Sequence, residues 1–332
     1  MYNLSRAPGA GPIKVGIIGT GYAAKLRAEA FLRDTRSDLV AVAGNTPHKT
    51  AAFAQQYNCE VVKGWEELIE RQDVDLIVAS TVNQHHGEIA LAALSAGKHI
   101  VVEYPLSLDV TQGLEIIALA KAQNKLLHVG HIEVLGGLHS SLKERVPQLG
   151  KVFYTSYRTI KPQNPISLRW SYNHDLFGFP LMGALSRIYR LIDLFGDVKT
   201  VNCHNRFLNE DAQYYQGCIC TAQLRFENGV LAEILYGKGK SLWQRERKFE
   251  VHGENGALIF EGAKGVLMQK KETVSIDLPS RKGLFYKDTN MVLEHLFEGA
   301  PLYISPEQSL YALRVAEAAR NSAEKGLTVV VK

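Results

Sequence analysis

The sequence predicts an α/β protein: an N-terminal doubly wound parallel sheet of the Rossmann type, then a C-terminal α+β domain with a large, mostly antiparallel sheet. Three observations predict it. Short apolar runs alternate with helical patterns up to about His131, which is the layout of successive βαβ units. After about residue 132 the runs alternate polar and apolar residues and follow one another without helices between most of them. The length of 332 residues suits about two domains. The expected division is a loose tail over 1–12, a dinucleotide-binding domain over 13–131 and a substrate domain over 132–332.

The first half opens with the strand Val15-Gly16-Ile17-Ile18, then Gly19-Thr20-Gly21-Tyr22-Ala23-Ala24, then a helix from about Ala24 to Leu32. This is G-x-G-x-x-A between strand and helix. Gly19 permits the tight turn, Gly21 lets a pyrophosphate approach the backbone, and Ala24 lets helix and strand pack closely. Gly19, Thr20, Gly21, Tyr22 and Ala23 are therefore candidate cofactor residues. The next strand, Leu39–Ala43, would end near an acid if NAD were preferred, because a carboxylate holds the ribose 2′-OH. It ends instead in Gly44-Asn45-Thr46-Pro47-His48-Lys49. Asn45 and Thr46 are neutral, and Lys49 can reach a 2′-phosphate, so the expected cofactor is NADPH, with NADH weaker.

The strand Asp75–Ala79 leads into Ser80-Thr81-Val82-Asn83-Gln84-His85-His86 and a helix over Gly87–Ser95. Thr81 and His86 are candidates for the cofactor pocket; helix capping and packing is the other reading of the histidines. Adjacent histidines face different ways and do not make a metal pair, and no metal is expected. Ile100–Val102 is a β-branched run bounded by Gly97-Lys98 and Pro105, which reads as a buried parallel strand. Ligands bind outside the carboxyl ends of such strands, so Glu103, Tyr104 and Pro105 stand where chemistry is expected. A helix over Val110–Gln123 and the strand Leu126–His128 close this half.

In the second half Val152–Ile160, Ala222–Phe226, Leu231–Tyr236, Phe249–His252 and Ala257–Glu261 read as strands, and Gly253-Glu254-Asn255-Gly256 as a hairpin turn. A helix is expected over Pro180–Phe195 and an amphipathic one over Pro306–Lys325, followed by a strand at Thr328–Val331. Arg187 and Arg190 lie one turn apart on the first of these helices. A buried Arg needs a carboxylate partner, from the protein or from a ligand. Whether Tyr236 and Phe226 face a substrate or a second subunit stays open, because one residue of register switches the answer.

Hydrophobic residues make up 46% and charged residues 22% of the chain, ordinary values for a globular protein. The net charge of +4 is mild and scattered, which argues against nucleic acid and suits an anionic small ligand. No apolar run approaches membrane-spanning length. The four cysteines, Cys59, Cys203, Cys218 and Cys220, form no CxxC pair, so a reduced, cytoplasmic protein is expected. The oligomeric state, monomer or homodimer, stays open.

Gly19-Thr20-Gly21, Thr81 to His86, Ala96-Gly97-Lys98-His99 through Glu103-x-Pro105, Leu191-Ile192-Asp193-Leu194 and Gly253-x-x-Gly256 resemble the glucose–fructose oxidoreductase / inositol dehydrogenase family over nearly the whole chain. Most such enzymes oxidise a sugar or polyol carbinol with Glu-Lys-Pro at the strand end and an Asp and a His one turn apart on the second-domain helix. Here Tyr104 replaces that Lys, and Gly183–Arg190 carries neither Asp nor His. Carbinol oxidation needs a base tunable to near neutrality; Arg stays protonated and Tyr titrates near pH 10. The departures resemble the biliverdin reductase branch, through Gly97-Lys98-His99-x-x-x-Glu103-Tyr104-Pro105, Leu127-His128-x-x-His131-x-Glu133-x-Leu135 and Phe177-Gly178-Phe179-Pro180-x-x-x-x-x-Ser186-Arg187, and its cyanobacterial type through Gly237-Lys238-Gly239 and Gln163-Asn164-Pro165. That resemblance implies NADPH-dependent reduction of a linear tetrapyrrole, biliverdin, at its central methine bridge to give bilirubin. It implies Arg187 and Tyr104 at the reaction, Glu103 beside the cofactor, and His131, Phe179, Arg190 and Lys238 as candidates to hold the bilin. The sequence does not say which cations meet its propionates. The other readings are a sugar-type oxidoreductase and a non-catalytic NADP-binding sensor.

Overall fold

A computed structural model describes residues 11–167, 169–270 and 272–331. The expected tail at 1–12 lies outside the described residues, apart from Gly11 and Pro12. The first elements are β1 (Ile13–Ile18), α1 (Tyr22–Leu32), β2 (Ser37–Ala43), α2 (Pro47–Tyr57), β3 (Glu60–Val62), α3 (Trp65–Glu70) and β4 (Leu76–Ala79). Then come α4 (His86–Ser95), β5 (His99–Glu103), α5 (Val110–Ala122), β6 (Leu127–Gly130) and α6 (Gly137–Arg145). Next are β7 (Val152–Pro162), α7 (His174–Phe177), α8 (Leu185–Phe195), β8 (Val198–Leu208), β9 (Gly217–Phe226), β10 (Leu231–Gly239) and β11 (Glu246–Gly253). The chain closes with β12 (Gly256–Glu261), β13 (Lys264–Gln269), β14 (Glu272–Asp277), α9 (Leu284–Glu298), α10 (Pro306–Lys325) and β15 (Val329–Val330). Among the described residues no helix is long and apolar enough to cross a membrane.

Two compact units result. One holds the residues up to Ile132 together with Gly283–Leu310; the other holds Glu133–Lys282 and the residues from Tyr311 onward. The stretch 283–310, which sequence reasoning leaves in the domain 132–332, thus folds with the first sheet.

The first unit is a six-stranded parallel sheet in the order β3-β2-β1-β4-β5-β6. Its strand order reverses between β1 and β4, the switch point where ligands bind in such sheets. β4 is buried along its whole length, as expected of a strand covered on both faces. α9 lies on this sheet through Val292, Leu293 and Leu296, which share one core with Ile13, Val15, Phe31 and Leu39.

The second unit is a nine-stranded sheet in the order β14-β13-β12-β11-β7-β10-β9-β8-β15. Only the central β7–β10 pair is parallel; its other neighbours are antiparallel. Alternation decides the faces. In β10, Ala232, Ile234, Tyr236 and Lys238 are buried while Leu231 and Glu233 are exposed. Tyr236 and Phe226 are buried within the chain, and the Arg187 guanidinium of α8 lies 5.2 Å from the Tyr236 ring centroid. The helix expected over Pro180–Phe195 begins only at Leu185, after a 3-10 turn over Met182–Ala184. Gly183 explains the delay: a Cβ there would lie 2.0 Å from the Phe177 ring, and glycine is a poor helix former.

Candidate active site

Gly19 follows β1 and turns the chain at φ +117°, where a Cβ would lie 2.3 Å from the Ser80 carbonyl oxygen. Only glycine fits. Gly21 is the opposite case, since a Cβ there would meet nothing within 4 Å. Gly21 is also the N-cap of α1 and offers no side-chain cap, so the first-turn N–H groups are available to an anion. An open backbone at a helix N-terminus suits a dinucleotide pyrophosphate. Thr20 and Ala23 are half-buried beside it, and Tyr22 is exposed with its ring edge-on to Phe285. At the end of β2, Gly44 leaves room for Thr20, whose methyl would lie 2.9 Å from a Cβ at that position. Asn45 and Lys49 are exposed, and Thr46 is the N-cap of α2. All five turn residues and the Asn45–Lys49 set therefore stand at neighbouring strand ends.

His86 is buried, and burial lowers its pKa, leaving the imidazole neutral. Its Nδ1 lies 2.8 Å from the Pro105 carbonyl oxygen and its Nε2 3.4 Å from that of Thr81. His86 thus ties the end of β4 to the end of β5. Thr81 itself is half-buried.

At the end of β5, Glu103 Oε1 accepts a hydrogen bond from Arg27 Nε at 2.8 Å. Arg27 is fully buried and also donates to Asp288 and, at 3.1 Å, to Thr289 Oγ1. Asp288 Oδ1 contacts His128 Nε2 at 2.9 Å and accepts from the Tyr303 hydroxyl at 2.6 Å. Burial would raise Asp288, but Arg27 and His128 outweigh it and hold the carboxyl well below its usual range. Glu103 goes the other way: burial raises it and Arg27 offsets only part. Sequence reasoning offers Glu103 to the cofactor; the structure gives it a protein partner in Arg27. Tyr104, joined to Pro105 by a cis peptide, stacks on His131 with ring centroids 5.2 Å apart. His131, expected among the substrate-holding residues, is buried behind Tyr104 and contacts Ser309 Oγ at 2.9 Å.

In the second unit, Arg187 is 5% exposed. Its Nε donates to Thr159 Oγ1 at 3.2 Å, and its Cζ lies 5.2 Å from the Tyr236 ring centroid. That is a desolvated cation held by aromatic faces and a hydroxyl. Arg190 donates to the Tyr157 hydroxyl at 2.9 Å and to the Glu133 carbonyl at 2.8 Å. Lys238 Nζ lies 3.2 Å from the Phe177 ring centroid and 2.5 Å from the Ser171 carbonyl oxygen. Burial pulls it down to about 7. Arg190 and Lys238, expected to hold substrate, both have protein partners in the fold, and the buried Arg190 Nε keeps none among the described residues. Phe179 is half-buried, and its carbonyl accepts from the Met182 N–H at the start of the turn into α8.

Sequence reasoning missed Arg27, Asp288 and Tyr303. The available signal was the single Arg of the alanine-rich α1 and the single Asp of α9, which only the fold brings together.

Residues 13–131 match the family model described as oxidoreductase family, NAD-binding Rossmann fold, and 143–331 match the C-terminal alpha/beta domain of the same oxidoreductase family. The chain belongs to this oxidoreductase family. A crystal structure of biliverdin reductase from Synechocystis sp. PCC 6803, in complex with biliverdin and NADP+, is 47% identical in sequence. The match covers 94% of this chain and 99% of that one, with a TM-score of 0.92. Human biliverdin reductase A is 25% identical over 91% of this chain and 93% of its own length. The scyllo-inositol 2-dehydrogenase (NADP(+)) of Bacillus subtilis is 22% identical over 96% of each chain.

Proposed function

We propose that this protein reduces biliverdin at the central methine bridge with NADPH, giving bilirubin. The reading is carried by the 47% identity across 94% of the chain to a biliverdin reductase that binds biliverdin and NADP+. The residues are consistent with it. Gly19, Thr20, Gly21 and the first turn of α1 would hold the pyrophosphate, and Asn45, Thr46 and Lys49 the 2′-phosphate end. When bound, the nicotinamide supplies a hydride, which together with one proton converts biliverdin to bilirubin.

Arg187 stays protonated at any working pH. It serves by stabilising the negative charge that builds on the bilin as hydride arrives, or by holding a water that delivers the proton. Tyr104, backed by His131, offers an aromatic plane to a conjugated ring.

The test is an absorbance spectrum of biliverdin with purified protein and NADPH or NADH. Loss of the long-wavelength biliverdin band with growth of a bilirubin band is expected, faster with NADPH. An unchanged spectrum with both cofactors sinks the reading. Polyol turnover, or cofactor binding without turnover, would then separate a sugar-type oxidoreductase from a sensor.

Lys49 carries the cofactor choice. Lys49→Glu is expected to raise KM for NADPH by about tenfold, the scale of one charge-assisted hydrogen bond, and to leave KM for NADH within twofold. Equal effects on both cofactors would remove Lys49 from 2′-phosphate recognition.

A further inference from the structure

We propose that Lys161, Arg247 and Arg281 form an anion subsite that receives a carboxylate side arm of the substrate. The proposal rests on the reading of biliverdin as substrate, since that molecule carries two propionates.

Sheet register places the first two cations. Thr159 and Lys161 are two residues apart on β7 and point to the same side. Arg247 of β11 stands directly opposite Thr159. Arg187 reaches the same Thr159 from α8. Lys161, Arg247 and Arg187 therefore converge around one hydroxyl. Arg281 arrives from the segment after β14, with its Nη2 2.7 Å from Glu133 Oε1, and Arg190 holds the backbone carbonyl of that same Glu133.

The charges do not balance. Burial would raise Glu133, yet Arg187, Arg190, Arg281 and Arg247 together hold it down at about 2. Partial desolvation, then the like charges of Arg187, Arg281 and Arg247, bring Lys161 to about 8. One carboxylate thus faces five cations. Lys161 and Arg247 have no carboxylate within ion-pair distance among the described residues. On the same sheet Arg158 pairs with Glu246 at 2.7 Å, and Lys248 with Glu250 and, at 3.9 Å, with Glu261. Arg187 and Arg190 are buried at the floor of the cluster, whereas Lys161 and Arg281 are exposed and Arg247 is half-buried. An excess of cations that opens to solvent over a buried floor is arranged for an incoming anion.

The experiment compares biliverdin with its dimethyl ester, in which both propionates are capped. Wild type is expected to show a higher kcat/KM for the diacid. That preference should fall about tenfold in Lys161→Met and in Arg247→Met, and should be retained in Lys161→Arg. A preference that stays within twofold of wild type in both Met variants overturns the subsite and leaves the reductase reading standing. If wild type reduces neither compound, the reductase reading fails and binding decides the subsite, by absorbance titration of each compound without cofactor. Diacid binding that is tighter than diester binding, and weakened in the Met variants, supports it. Equal binding, or no diacid binding, overturns it.

Discussion

Arg187→Met is expected to lower kcat for biliverdin by about 100-fold or more, with the dissociation constant for NADPH near that of wild type. The size follows from what is removed. A preorganised donor aimed at developing charge in a desolvated site is worth on the order of 10²–10³ in rate. Arg187 is 5% exposed and is held in place by Thr159 and Tyr236. Methionine keeps much of the stem volume, so packing beneath α8 should survive. Arg187→Lys separates charge from geometry: an ammonium keeps the sign but cannot keep both the Nε contact to Thr159 and the planar head over Tyr236. An intermediate loss is expected. Stopped-flow decay of the biliverdin band measures the step directly. A kcat for Arg187→Met within threefold of wild type would remove Arg187 from the chemistry.

The second large effect is on stability. Asp288→Asn should destabilise the protein by about 3–5 kcal/mol, the cost of removing one partner from a buried ion pair. Arg27 would keep Glu103 but lose its fully buried counter-charge, and the contacts from His128 and Tyr303 would lose a carboxylate acceptor. Urea unfolding at neutral pH measures the change; a loss below about 1 kcal/mol would show that the network is not what holds α9 on the first sheet. The pH dependence carries a sign. Asp288 has a folded pKa depressed below its unfolded value, so its stabilisation is complete above the unfolded pKa of about 3.9 and is lost as pH falls through the folded value. Glu133, held at about 2, adds a loss of the same sign between about pH 4.3 and 2. The Asp288→Asn variant should lose the first of these contributions and keep the second.

Much of the first sheet is local information. The run Ile100–Val102, the strand at Val15–Ile18 and the turn through Gly19 and Gly21 are written in contiguous residues, because strand burial and turn sterics act over a few positions. The predicted helices α4, α5 and α10 agree with the observed ones to within a residue or two. The strands β8, β13 and β14 are not among those the sequence predicts. In β14 only two residues, Val274 and Ile276, carry the apolar alternation, and five of the six residues are exposed, a short signal to detect.

By itself, then, the sequence determined that a Gly-rich strand-to-helix turn exists and that no acid follows β2, statements about residue type at a position for which local chain geometry suffices. The family resemblance added that Tyr104 stands where a carbinol oxidase would carry its Lys and that Gly183–Arg190 carries neither its Asp nor its His. Only the tertiary structure decided which charges meet. Arg27 and Asp288 are separated by most of the chain, and Glu133 collects Arg190 and Arg281 from different elements. The same burial that makes such partners necessary hides them from sequence, because a charge's cost and its remedy depend on what packs around it rather than on its neighbours in the chain. That is why Arg190 and Lys238 read as ligand-binding cations in the sequence and prove to have protein partners in the fold.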